Sequence, residues 1–122
     1  MAYEIPGFSF PLPAGVDFTG GAQFRFVDVS STGKAVNPVA NGRSIGVRQN
    51  RPKLNEGTTI VVNGVSIVEA GGAITAGALV TTNAVGQAVT AAVGNSVNGR
   101  ALESASGAGI QIAVLLLDGA NA

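Results

Sequence analysis

Thr58-Thr-Ile-Val-Val-Asn-Gly-Val-Ser-Ile-Val-Glu69 is the most strand-prone stretch of the chain. Most of its side chains are β-branched, which pack well on a pleated surface and cost χ1 freedom in a helix. Two readings of Asn63-Gly64 stay open. A type I′ turn needs φ > 0 at both central positions, which Asn-Gly supplies, and would make a tight hairpin. A bulge would instead keep one long strand in which Ile60 and Val62 face the core and Val65 and Ile67 resume after one extra residue.

Working outward from that stretch, strands recur at close spacing. Upstream, the polar loop Asn50-Arg-Pro-Lys-Leu-Asn-Glu-Gly57 follows a strand over Ser44–Gln49. Before it, Asn37-Pro38 and Asn41-Gly42 are turn signals, and Ala35-Val36 a short return. Phe24-Arg-Phe-Val alternates so that Phe24 and Phe26 share one face and Arg25 the other. Downstream, Leu79-Val80 begins a strand and Asn83–Ala92 holds a turn and a short one. Asn98–Gly107 fits about two helical turns, with Ala101, Leu102 and Ala105 inward and Gly107 at the end. The closing run from Ile110 reads as a strand buried on both faces in its second half. The expected fold is therefore all-β, with at most one short helix: a compact β-barrel or sandwich-like domain with an extended N-terminal arm. The segments are 1–21 as the arm, 22–117 as the β-rich domain and 118–122 as a polar tail.

With 122 residues the chain is long enough to bury a core without staples, and without cysteine it has none to use. Seven basic residues balance seven acidic ones and only 11% of the chain is charged. Nucleic acid and anionic membranes are recognised by clustered Lys and Arg, so neither is an expected partner. No basic segment precedes an apolar run at the N-terminus, and Pro6, Pro11 and Pro13 interrupt any signal-peptide core. The longest apolar run, Ile112 to Leu117, falls far short of the roughly 20 residues that span a bilayer.

The inventory of reactive groups is short. Without histidine the commonest general base and neutral metal ligand are absent. The carboxylates Asp17, Asp28, Glu56, Glu69, Glu103 and Asp118 are scattered singly, and Gly71–Gly77 lacks the Gly-Lys-Ser/Thr ending of a phosphate loop. We expect no catalytic residue, no cofactor and no metal.

Two features suggest binding instead. All the aromatic residues lie between Tyr3 and Phe26, and the segment from Ile5 to Gly15 holds too much proline and glycine for an isolated regular element. Leaving Phe8 and Phe10 in water forfeits about 1.5–3 kcal/mol each relative to burial. The arm either closes one end of its own domain or docks on a neighbour, by strand addition to a sheet edge. Candidate contacts are Ile5, Phe8, Phe10 and Leu12. The second feature is the cationic stretch Arg43, Arg48, Arg51 and Lys53, which is either a solvated loop or a patch that orients an acidic protein partner.

Phe8-Ser-Phe, Phe24-Arg-Phe-Val, Ile45-Gly-Val-Arg-Gln-Asn-Arg-Pro, Val65-Ser-Ile-Val-Glu-Ala-Gly-Gly-Ala-Ile-Thr-Ala-Gly, Gly99-Arg-Ala-Leu-Glu and Ile112-Ala-Val-Leu-Leu together resemble the small head-decoration, or cement, proteins of tailed bacteriophages. The resemblance runs from about residue 5 to residue 117. It implies a β-rich domain made in the host cytoplasm and seated on the outer surface of the virion capsid. There it would be a homotrimer touching several subunits of the major capsid protein and stabilising the expanded shell. No catalytic residue comes with the family. The rival reading is a small β-sandwich module for carbohydrate or protein ligands displayed on a surface, though sugar sites usually use exposed Trp or Tyr and this chain has no Trp.

Overall fold

A computed structural model describes residues 2–117, so the polar tail expected at 118–122 lies outside the described residues. Eleven strands follow one another: β1 (Ile5–Pro6), β2 (Ser9–Pro13), β3 (Arg25–Val29), β4 (Ala35–Val36), β5 (Gly46–Arg48), β6 (Gly57–Val61), β7 (Gly64–Glu69), β8 (Leu79–Thr82), β9 (Ala88–Thr90), β10 (Gly99–Ala101) and β11 (Gln111–Leu116). They form two antiparallel sheets, ordered β1-β7-β11-β10-β8-β9 and β2-β6-β5-β3-β4. The fold is all-β, with no helix among the described residues.

Each sheet curls toward closure. In the six-stranded sheet, Ala88 of β9 bridges to Ala70 beyond β7, with the Gly71 N–H bonded to the Ala88 carbonyl at 2.8 Å. In the five-stranded sheet, Ala14 beyond β2 bridges to Ala35 of β4. Small side chains at both seams let the backbones approach. The first core fills the six-stranded sheet with Val68, Ile74, Val80, Ile112 and Val114, joined by Phe26 and Val47 from the other sheet. The second holds Phe18, Val27 and Ile60, with Leu12, Ile45 and Val62 packed against it. Phe26 and Val47 therefore tie the halves together.

The corner between the sheets lies at Val62-Asn63, and it is neither the hairpin nor the bulge that the sequence allows. β6 and β7 belong to different sheets and do not pair. The N-terminal segment follows the chain around the corner, pairing Ile5 with Val65 and Pro6 with Gly64 in one sheet, then Ser9 with Val61 through Pro13 with Gly57 in the other. Each step forward on one strand matches one step back on the other, so no residue is inserted. The inward-facing parity is therefore kept: Ile60 is buried before the corner and Ser66 and Val68 after it, while Val65 and Ile67, which a bulge would have turned to the core, are only half-buried.

Gly64 makes that crossing possible. Its φ is +87°, and a Cβ there would run into the backbone of Ile5, Pro6 and Gly7. Left-handed backbone costs a residue with a Cβ about 1–2 kcal/mol before any clash. Gly64→Ala is expected to destabilise by about 2 kcal/mol or more, read as a lower midpoint in urea with an unchanged slope.

Two further expectations are corrected. Asn98–Gly107 is not helical: Gly99–Ala101 forms β10, and the amides of Ala101, Leu102 and Ala105 bond to Ala78, Ala113 and Ile74. With those groups committed to neighbours on both sides, sheet pairing overrides local helix propensity. Ala101 and Ala105 do point inward, whereas Leu102 is exposed. In β11 the part buried on both faces is Ile112–Val114, not the second half. Leu115 and Leu117 emerge on the outer face, where Leu115 pairs with Val65 and Arg100.

Candidate functional site

The bond pattern along β2 decides what the N-terminal segment offers a partner. The Ala14 N–H bonds to Glu56 and the Val62 N–H to Phe8, so even-numbered residues direct their polar groups toward β6. Odd-numbered residues face outward, and two of them are Pro11 and Pro13. Across the corner the Gly7 N–H bonds to the Asn63 carbonyl, which turns Pro6 outward from β7 in the same way. Between Phe8 and Ala14 the only backbone donor on the free edge is the Ser9 N–H, beside the carbonyls of Ser9, Pro11 and Pro13. Proline at outward-facing positions is a standard block to edge pairing. The segment is thus already added as a strand to its own two sheets, and its remaining edge is closed to strand addition by another chain.

What it does expose is side chains. Phe8 is 75% accessible and Ile5 66%, with Phe10 at 39%. Leu12 turns inward against the second core. Phe8 is held rigidly, its N–H donating to Asn63 Oδ1 at 2.6 Å. Asn63 also lines a cleft of about 510 Å³ between the sheets, with Ile45, Val62, Leu116, Leu117 and Arg43 among its other walls. The Asn98 side chain braces the far wall, accepting from the Ser44 N–H and donating to the Gly42 carbonyl. Ile5, Phe8 and Phe10 follow one another around the corner, at the end of the β2–β6 ladder where Val62 and Asn63 enter the cleft, and this apolar end has Arg43 on another wall of the cleft.

The other cations lie elsewhere. Arg51 and Lys53 are exposed on the β5–β6 loop, beside Ala14 to Phe18, since Asn55 bonds to Ala14 and Phe18 to Pro52. That is the opposite end of the β2–β6 ladder, about 20 Å from Phe8 at strand rise. Arg48 is only 1% exposed, its Nη2 bonded to the Ala22 carbonyl at 2.6 Å and its guanidinium 4.3 Å from the centre of the Phe18 ring. It belongs to the interior. Alternation does not account for this, because Gly46, Val47 and Arg48 are all enclosed in a strand that lies between β3 and β6 and is covered on both faces.

Sequence reasoning missed Asn63 as the fastener of the segment, and Leu116 and Leu117 as walls of the cleft. The spacing of Pro11 and Pro13 was the available signal, since prolines two apart in a strand mark one side as an edge. Among the described residues no group of three or more His, Cys, Asp or Glu side chains could hold a metal ion. No helix of the described residues is long and apolar enough to cross a membrane.

A family model described as phage cement protein matches residues 9–116. No curated protein matches the chain.

Proposed function

The chain belongs to the phage cement protein family, which gives it a structural role on a capsid, and from that premise we propose that it binds the outside of the expanded shell where several major capsid subunits meet. The observation that carries the reading is the apolar end built from Ile5, Phe8 and Phe10. Phenylalanine and isoleucine at 75% and 66% exposure are costly on a free surface, and here they sit on a strand pair fixed by backbone bonds. A pre-ordered contact loses little entropy on docking.

In this reading the shell contact is made by side chains on a rigid edge and not by an exchanged strand. Three copies about a threefold axis of the shell suit a domain with no net charge to oppose association, and three weak contacts on one assembly gain by avidity. Arg43 beside the apolar end sets orientation against an acidic group on the shell. The seamed double sheet suits a part that must resist outward pressure without deforming.

Stabilisation is tested by heating expanded empty shells with and without saturating protein and following disruption by light scattering. A higher disruption temperature that tracks occupancy is expected. Equal temperatures at full occupancy would leave binding without the cementing role.

A further inference from the structure

We infer that the outer face of the six-stranded sheet is a second, charged part of the contact with the shell, docking Arg100 and the apolar side chains around it into an apolar groove that carries one carboxylate. The inference rests on the reading that the protein binds the shell, and it adds a surface which that reading does not use.

The pairing registers build the surface. Val65 of β7 pairs with Leu115 of β11, Leu115 with Arg100 of β10, and Arg100 with Leu79 of β8, so the four lie in one row across neighbouring strands. Val68, Ile112, Val114, Ala101 and Val80 take the alternate positions and fill the core, which turns the row outward. Leu79, Leu115 and Arg100 are exposed and Val65 is half-buried. Two residues along the strands a second outward row follows, with Ile67 paired to Ala113 and the Leu102 N–H bonded to the Ala113 carbonyl. The solvent face of an antiparallel sheet ordinarily carries polar residues. In these two rows every side chain but Arg100 is apolar, and a contiguous apolar surface of this kind marks an interaction site.

Arg100 decides what the partner must carry. Its Nε donates to the Gly77 carbonyl at 3.0 Å, which holds the guanidinium in place, and among the described residues no carboxylate pairs with it. Nη1 and Nη2 are left to donate to the two oxygens of a carboxylate. An arginine fixed among apolar side chains is a common centre of a protein contact, and covering it without a counter-charge is costly. The face does not suit itself. A second copy laid on it would bring a second arginine, while the carboxylates on and beside these strands are engaged, Glu69 Oε1 by Arg25 and Gln87 and Glu103 Oε1 by the Ala113 N–H. Because the sheet curls around its own core, this face is convex, and its complement is a groove. Ile5 pairs with Val65, so the row runs without a break into a residue already placed at the shell, three strands or about 14 Å from Arg100.

The test is co-sedimentation of the full-length protein with expanded empty shells at low and high sodium chloride. Wild-type affinity is expected to fall as salt rises. Arg100→Met keeps the length and loses the charge; it is expected to weaken binding about tenfold at low salt and to flatten the salt dependence. Leu115→Ser is expected to weaken binding about tenfold, and Arg100→Glu about a hundredfold through repulsion of the shell carboxylate. Unfolding temperatures near that of the wild type show that the fold is kept. If an Arg100 variant does not fold, Leu115→Ser and Leu79→Ser, at exposed positions, decide. Wild-type affinity in the folded variants beside weakened binding by Phe8→Ser would overturn this surface and leave the shell reading standing, whereas no binding by the wild-type chain would end both. Sedimentation velocity of the free variants is expected to match the wild type. Dissociation of a free oligomer by Leu115→Ser would assign the face to a second copy and overturn its assignment to the shell.

Discussion

Deleting residues 2–13 is expected to unfold the protein. The deletion strips an edge strand from each sheet and removes Leu12 from the second core. Ile60, fully buried behind the segment, would open toward water at a cost of about 1.5–3 kcal/mol. Loss of the ladder from Ile5 to Pro13 would leave its partners on β6 and β7 without their native bonds, each contributing about 0.5–1.5 kcal/mol net. The sum is comparable with a total stability of about 5–15 kcal/mol. The exposed β6 edge, rich in β-branched residues and no longer shielded by prolines, would also pair with other chains. The truncated protein should lose its cooperative thermal transition and aggregate. A transition close to that of the full chain would show that the ladder contributes little, and that the segment is an appendage.

The second large effect concerns the shell. Ile5→Ser and Phe8→Ser change side chains already in solvent, so each variant should unfold at nearly the wild-type temperature. On expanded shells each should bind more weakly, because each removes a contact worth about 1.5–3 kcal/mol gross, or on the order of tenfold to a hundredfold in affinity. In a trimer the loss is repeated at three contacts and grows through avidity. Arg51→Ala and Lys53→Ala, at the opposite end of the ladder, should leave occupancy unchanged. Co-sedimentation with empty shells measures all four. Loss of binding in the Lys53 variant with retention in the Phe8 variant would move the footprint to the β5–β6 loop.

The all-β class was legible in the sequence because alternation such as Phe24-Arg-Phe and β-branched runs such as Thr58–Val62 act locally. The corner at Asn63 was not. Hairpin and bulge are both local solutions to an Asn-Gly pair, whereas the observed crossing depends on Ile5–Pro13 lying alongside, some fifty residues away in sequence. The same limit explains the helix expected after Asn98, since only the positions of Ala78 and Ala113 reveal that its amides are already committed. Of the candidate site, Ile5 and Phe8 were readable as candidate contacts from their apolar character amid prolines, and both side chains are exposed. Arg48 was not separable from Arg51 and Lys53 by composition. Its burial comes from the three-residue strand β5 being enclosed by β3 and β6, which charge alone would argue against.

The central claim is that this protein meets the shell through the rigid apolar end built from Ile5, Phe8 and Phe10. Electron cryomicroscopy of expanded shells saturated with the protein tests it most directly. The account expects density for threefold groups outside the junctions of major capsid subunits, each copy with Phe8 buried against the shell and β2 still paired to β6 of its own chain. Density showing Phe8 facing solvent, or the N-terminal segment withdrawn from β6 and added to a neighbour's sheet, would contradict it.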